Sequence, residues 1–308
     1  MNYFITGATS GLGLQLVKQL GANAKAHFIL PVRSNNKAKI LRKQLEQLRG
    51  VTIETPIMDL ASLDSVTECI EETCANNKVP IDGLIFNAGR QSAHSLEPTI
   101  DGFESTFAVN HLAHHLLYRG LRPLLKKDGI IGWTSSGTHD PGHRTAKMGG
   151  FQGAKYSDVP TLAQGTYTSV QDQLCRDAYA TSKFCNLMSA KYLAKQDSQT
   201  QYFSFDPGLM PGTGLAREQK PIILFVWKII LPILGKLLPG TSSPKHSAAM
   251  MVNIINGQRK WGYNGEYIEF TGKTLKPWQP DNVDAIGEEL LSGSDRLLTP
   301  WINKLRRL

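Results

Sequence analysis

Short apolar runs, separated by stretches whose apolar residues recur at helical spacing, most constrain what this chain can fold into. Tyr3–Thr6, His27–Val32, Val51–Met58, Ile81–Phe86, Gly129–Thr134, Gln201–Phe205 and Glu266–Phe270 read as strands. Between them, a helix beginning near Leu12 runs through Leu14, Leu16, Val17 and Leu20, and Lys37–Leu48, Ser62–Cys74, Gly102–Leu125 and Ala178–Leu193 follow the same logic. Apolar strands alternating with amphipathic helices build βαβ units, hence a parallel sheet covered on both faces. With right-handed crossovers, the pattern predicts α/β architecture, a doubly wound parallel sheet. The length of 308 residues and the absence of an internal repeat place residues 1–308 in a single domain.

Two stretches break the alternation. Residues 139–176 are rich in Gly, Thr and Gln, and 217–246 are strongly apolar but carry Pro221, Pro232, Pro239 and Pro244. Irregular stretches of this length inside a domain are usually functional, and both fall where a doubly wound sheet places substrate, beyond the carboxyl ends of the strands. The first reads as an insertion before a late helix, the second as an apolar helical lid. Within the second, 221–239 is interrupted by Lys228, Pro232 and Lys236, too often for a spanning helix. It is either a lid over the cleft or a helix lying at a membrane interface.

Composition excludes several function classes. The net charge is +8, yet Lys and Arg are scattered apart from Lys304, Arg306 and Arg307, so no basic stripe suits a nucleic acid. Cys69, Cys74, Cys175 and Cys185 show no CxxC spacing, which argues against a metal site or a disulfide framework. The chain opens directly in a strand pattern, Met1-Asn2-Tyr3-Phe4, without a signal-peptide profile. A reduced, cytoplasmic setting is expected, with membrane association through 221–239 as the variant.

Thr6-Gly7-Ala8-Thr9-Ser10-Gly11-Leu12-Gly13 joins the first strand to the first helix. Glycines there allow a tight turn and close backbone approach to a pyrophosphate, which then rests on the amides and positive end of the helix. The second strand ends in Leu30-Pro31-Val32-Arg33-Ser34, with no acid to take ribose hydroxyls. A guanidinium holds a 2′-phosphate, so Arg33, helped by Ser34 and Lys37, selects NADP(H). Tyr179 and Lys183 stand four residues apart on a helix and share one face. A free phenol titrates near ~10, and a neighbouring ammonium is expected to lower that value and make Tyr179 an acid/base group.

These segments resemble the short-chain dehydrogenases/reductases, which have the Rossmann fold. TGATSGLG is similar to the TGxxxGxG of that family, with Gly7, Thr9, Ser10, Gly11, Leu12 and Gly13 as cofactor contacts. The resemblance implies further roles. Asp59 and Leu60 would contact adenine, and Asn87-Ala88-Gly89 would support the sheet along the cofactor. Ser136, or Ser135 as the alternative, would hydrogen-bond the substrate oxygen. Asn110 in Val109-Asn110-His111-Leu112-Ala113-His114 would hold a water that relays protons from Lys183, which also holds the nicotinamide ribose. Pro207 and Gly208 would lie beside the nicotinamide, with Thr213, one position out of the family register, as its carboxamide contact. Ser136 and Tyr179 are 43 residues apart, against little more than a dozen in the family, so an insertion that can act as a lid lies between them.

The SSGTHDP and YATSKFCN segments resemble the daunorubicin ketoreductase, protochlorophyllide reductase and retinol dehydrogenase branch. PGLMPGTGLARE is similar to the protochlorophyllide reductase segment, but Leu209 stands where that enzyme has cysteine. The resemblance implies reduction of a ketone or aldehyde, or oxidation of an alcohol, on a bulky lipophilic substrate. Ser136, His139 and Leu209 would touch that substrate, with His143 nearby. Reduction of a C=C bond of the protochlorophyllide type and a non-catalytic NADP(H) sensor are the rivals. The family is also compatible with a homodimer.

Overall fold

In the computed structural model, which describes residues 1–22, 25–76, 79–211, 240–257, 264–278 and 280–306, the apolar runs pair as one eight-stranded sheet. Its strands are β1 (Asn2–Ile5), β2 (Ala26–Ile29), β3 (Val51–Glu54), β4 (Ile81–Phe86), β5 (Leu125–Thr134), β6 (Gln201–Asp206), β7 (Glu266–Glu269) and β8 (Thr274–Leu275). The order is β3-β2-β1-β4-β5-β6-β7-β8. Strands one to seven pair in parallel, and β8 adds an antiparallel edge that the periodicity did not reveal. β1 pairs with both β2 and β4. The strand order therefore reverses between β1 and β4, the position at which such sheets open a ligand crevice.

Helices cover both faces. On one side lie α1 (Gly11–Gly21) and α2 (Asn35–Leu45), whose Leu16, Val17, Leu41 and Leu45 join Tyr3, Phe28 and Phe205 in one apolar cluster. On the other, α3 (Leu63–Asn76) and a helical segment built of α4 (Ser105–Phe107), a π-turn (Ala108–Leu112) and α5 (Ala113–Leu121) pack with Phe86, Ile131 and Trp133. The packing leaves no slack at the sheet centre. A Cβ on Gly132 of β5 would lie 2.2 Å from the Phe203 ring of β6. Gly132→Ala is accordingly expected to cost about 2–3 kcal/mol in denaturant unfolding; an unchanged midpoint would show that the ring has room to move.

Part of the stretch expected to be an insertion and lid, 139–176, is packed into the fold. It holds α6 (Arg144–Met148) and α7 (Val159–Ala163), and its last residues already belong to α8 (Gln171–Gln196). Val159, Leu162 and Ala163 are core residues. Glu289 accepts from the Tyr156 hydroxyl and from the Val159 N–H, the latter at 3.2 Å, while Thr181 Oγ1 accepts from the Lys155 N–H at 2.8 Å. Residues 154–163 are thus pinned between α8 and the C-terminal helices. Those helices are α9 (Pro244–Ile255), α10 (Val283–Leu297) and α11 (Thr299–Leu305).

The expected second lid, 217–246, falls mostly on 212–239, outside the described residues, as do Thr213 and the 221–239 segment. Its last residues are no lid: Pro244 opens α9, which packs against α1, and Gln19 Nε2 donates to the Lys245 carbonyl at 2.9 Å. Leu209 pairs with Thr241, so the chain leaves and re-enters the described fold at neighbouring points. Among the described residues no helix is long and apolar enough to cross a membrane.

Candidate active site

The glycine-rich turn leaves β1 at the reversal point and is shaped by close approach. Gly7 and Gly11 adopt φ of +72° and +55°, values that L side chains rarely adopt. A Cβ on Gly13 would lie 2.4 Å from the Gly7 carbonyl oxygen and 2.6 Å from Asn87 Nδ2. Thr9 is half-buried and Leu12 faces the core. Ser10, the exposed N-cap of α1, makes no side-chain cap bond. A concave backbone surface and the first-turn amides of α1 are therefore available at this point.

Three further expected positions ring the turn. Asn87 and Ala88 follow β4, and their N–H groups donate to Thr6 Oγ1 at 2.9 and 3.0 Å. Asn87 Nδ2 donates to the Thr6 carbonyl at 3.0 Å, locking the turn to β4. Gly89 is exposed beside Lys183: a Cβ there would lie 3.3 Å from Nζ. Arg33 and Ser34 are exposed just past the Val32–Ile57 bridge that prolongs β2. Asp59 is exposed with Oδ1 accepting from the Ala61 N–H, and Leu60 packs against the core.

Tyr179 and Lys183 lie on α8, which is buried at every residue from Asp177 to Ala190. Three bonds fasten this helix to the end of β5. Lys183 Nζ and Asn186 Nδ2 both donate to the Thr134 carbonyl at 3.0 Å, and Ser135 Oγ donates to the Lys183 carbonyl at 2.8 Å. Ser135 is thereby committed to structure. Ser136, the half-buried neighbour, accepts from the Thr138 N–H at 3.3 Å and keeps its hydroxyl proton for another partner. Among the described residues nothing engages the Tyr179 hydroxyl. The Lys183 ammonium stands 5.6 Å from the centre of the Tyr179 ring.

The electrostatics differ from the sequence expectation. Burial pushes the Tyr179 phenol up, with the Asp206 carboxylate adding to the effect, rather than Lys183 pulling it down. Burial also pushes Lys183 down to about 8, against an opposing pull from Asp206. In this low-dielectric site desolvation governs both groups.

Asn110 is buried at the centre of the π-turn, a rare geometry that often marks functional positions. Its Oδ1 accepts from the Arg90 N–H at 2.7 Å. Its Nδ2 donates to the Arg90 carbonyl at 2.8 Å and to Ser182 Oγ at 2.9 Å. Ser182 in turn donates to the Tyr179 carbonyl at 2.7 Å. Pro207 and Gly208 follow β6, with Gly208 at φ +71° and the Pro207 carbonyl accepting from Ser247 Oγ.

His139, expected at the substrate, is instead 1% exposed. Its Nδ1 donates to the Ser136 carbonyl at 2.7 Å, and its ring is packed against Phe184 and, edge-on, Tyr267. It supports Ser136 from within the core. His143 caps α6, with Nδ1 accepting from the Ala146 N–H, and its ring occupies the space beside Gly137. Leu209 is half-buried, with its N–H donating to the Gly240 carbonyl. Sequence reasoning missed Phe151, whose ring centre lies 6.0 Å from that of Tyr179. It also missed His114, although His114 stands four residues after Asn110, the spacing that singled out Tyr179 and Lys183.

Comparisons with known proteins bear on the family and the fold. A family model described as short chain dehydrogenase matches residues 2–150. The protochlorophyllide reductase of Avena sativa is 31% identical over 277 residues, covering 82% of this chain and 83% of its own. The chloroplastic protochlorophyllide reductase of Pisum sativum is 30% identical over 276 residues, covering 83% of this chain, which spans 66% of that enzyme's length. Among solved structures, an uncharacterized protein from Mycobacterium Paratuberculosis superposes with a TM-score of 0.65 at 21% identity, covering 97% of this chain and 93% of that one. A blue fluorescent protein from a metagenomic library, in complex with NADPH, superposes with a TM-score of 0.62 at 20% identity, covering 88% and 96%.

Proposed function

The chain belongs to the short-chain dehydrogenase family, on the branch similar to the protochlorophyllide reductases, and from that membership we propose that it is an NADP(H)-dependent reductase of a bulky lipophilic ketone or aldehyde, able to run in reverse on the alcohol. The observation that carries this reading is the fastening of α8 to the end of β5. It ties the helix that carries Tyr179 to the strand end that leads into Ser136, and no described group takes the hydroxyl proton of either residue. Two such donors suit a single carbonyl oxygen. Phe151 beside Tyr179 and the half-buried Leu209 suit an apolar body attached to that carbonyl.

The residues fit a dinucleotide. The positive-φ turn at Gly7 and Gly11, the uncapped start of α1 and the exposed Ser10 suit a pyrophosphate. Asp59 and Leu60 would lie at the adenine, Arg33 and Ser34 at a 2′-phosphate, Asn87 to Gly89 along the ribose side, and Pro207, Gly208 and Thr213 at the nicotinamide. When bound, the dinucleotide supplies the hydride chemistry. This chain's own part is to hold the carbonyl oxygen between Ser136 and Tyr179 and to give it the phenolic proton. Lys183 holds the ribose and restores that proton from the water side, where Asn110 holds the relaying water.

A second reading, reduction of a C=C bond in a tetrapyrrole, draws on the names of the relatives at 30–31% identity. Oxidation of NADPH in the dark with benzil, decanal and retinal, and in light with protochlorophyllide, separates the two. Dark turnover of a carbonyl is the expected result. Tight NADPH binding with turnover of none of these would instead support a sensor. Arg33→Ala should raise the KM for NADPH roughly 10–100-fold, the scale of a lost charged hydrogen bond, and that for NADH less than threefold. Equal effects on both would remove Arg33 from the 2′-phosphate.

A further inference from the structure

Three fully buried groups, Thr6, His114 and Asn110, form a hydrogen-bonded line between the glycine-rich turn and the π-turn. Their proton positions follow from valence. Thr6 Oγ1 already accepts from the Asn87 and Ala88 N–H groups, so its own proton goes to His114 Nε2, 3.0 Å away. A hydroxyl has one proton to give and two lone pairs to fill, and here both lone pairs are filled. Nε2 is therefore the bare nitrogen, and Nδ1 carries the ring proton. That Nδ1–H donates to the Asn110 main-chain carbonyl at 3.1 Å.

The opposite tautomer would set a nitrogen lone pair against the carbonyl oxygen and an N–H against a hydroxyl with no lone pair left. Burial, with the charge of Lys183, pushes the imidazole down to about 4, so the ring is neutral near pH 7. Phe86 packs at 5.3 Å and holds its plane. At the π-turn the Ala113 N–H reaches back five residues to the Ala108 carbonyl, so the ladder around Asn110 is displaced from α-helical register. A side-chain donor fixes the carbonyl there. One lone pair of that carbonyl goes to His114, and a relay water would take the other.

We propose that His114 is a positioning residue for proton return: its Nδ1–H fixes the Asn110 carbonyl in the direction that holds the relay water, while its Nε2 ties that carbonyl to the cofactor turn through Thr6. The proposal rests on the reading that Asn110 holds such a water.

The two bonds can be separated by substitution. His114→Asn keeps a donor near the place of Nδ1 and loses the reach to Thr6. His114→Gln reaches Thr6 and leaves the carbonyl, and His114→Phe removes both bonds while keeping ring bulk. With benzil and NADPH, the Gln and Phe variants should lower kcat about tenfold, equivalent to about 1.4 kcal/mol. Their KM for NADPH should stay within twofold, and their solvent deuterium isotope effect should rise. The Asn variant should recover most of kcat. Recovery by Gln in place of Asn, or a parallel loss of NADPH affinity and thermal stability in all three, would overturn the proposal.

The 15N shifts of His114 in the full chain give a readout independent of turnover. The neutral Nδ1–H tautomer is expected at pH 7, and the Nε2–H form or an imidazolium would refute the assignment. Failure of the wild-type chain to reduce any carbonyl would count against the preceding reading and leave this tautomer to be judged by its shifts.

Discussion

Tyr179→Phe should lower carbonyl reduction by roughly 10³-fold, within the range for loss of a positioned general acid, while NADPH affinity and melting temperature stay near wild type. No described group engages the hydroxyl, so its removal strands no partner, and the ring still packs beside Phe151. The same geometry sets the pH behaviour. Burial and Asp206 raise the phenol, so Tyr179 holds its proton throughout the neutral range and is ready to donate. Reduction should therefore run across pH 6–8, whereas oxidation of the alcohol, which requires the phenolate, should appear only in alkali. Stopped-flow rates of the wild type and the Phe variant across this range check both statements. Residual activity above a few per cent would mean that another group supplies the proton.

Lys183→Met should have an effect of similar size on turnover, roughly 10²–10³-fold, and an opposite one on the stability of the cofactor-free protein. The ammonium is 3% exposed and titrates near 8 instead of 10.5. The folded state thus binds the proton less well than the unfolded chain. The resulting cost, about 3 kcal/mol at 1.36 kcal/mol per pH unit, is present in full below about pH 8 and vanishes as pH rises towards 10.5. Methionine removes the charge and also the bond to the Thr134 carbonyl, so a net gain of about 1–2 kcal/mol is expected at pH 7. Urea unfolding of both proteins at pH 7 and pH 10 should show the gap closing at the higher pH. A less stable Met variant at pH 7 would mean that the lysine is better solvated than its burial implies. A charge that the fold bears at some cost is a common mark of a working group.

Much of this was legible in the chain. The parallel strands announced themselves as continuous apolar runs, because a sheet covered on both faces needs no polar side. The Gly7–Gly13 turn was visible because only glycine tolerates the approach that Asn87 makes to Gly13. What was not legible had physical causes. Residues 154–163 read as a polar loop because their anchorage is a few long-range bonds to Glu289 and Thr181, which leave no periodicity. The C-terminal helices α9 to α11 went unread, and β8 is two residues long, too short to carry an alternation. Of the two serines after β5 the sequence favoured Ser136 by alignment alone. The physical distinction, that Ser135 gives its proton to the Lys183 carbonyl, is a contact across 48 positions. The mutual influence of Tyr179 and Lys183 was misjudged because i, i+4 spacing reveals proximity but not how far both groups are withdrawn from water.

The pairing of Leu209 with Thr241 has a consequence for how such a protein can diversify. The Leu209 N–H donates to the Gly240 carbonyl and the Ser242 N–H to the Leu209 carbonyl, so the chain just past β6 and the chain just before α9 hold each other through main-chain bonds. Main-chain bonds ask nothing of the side chains that flank them. Leu209 and Thr241 are thus open to substitution by drift, while the junction that joins β6 to α9 is inherited in shape.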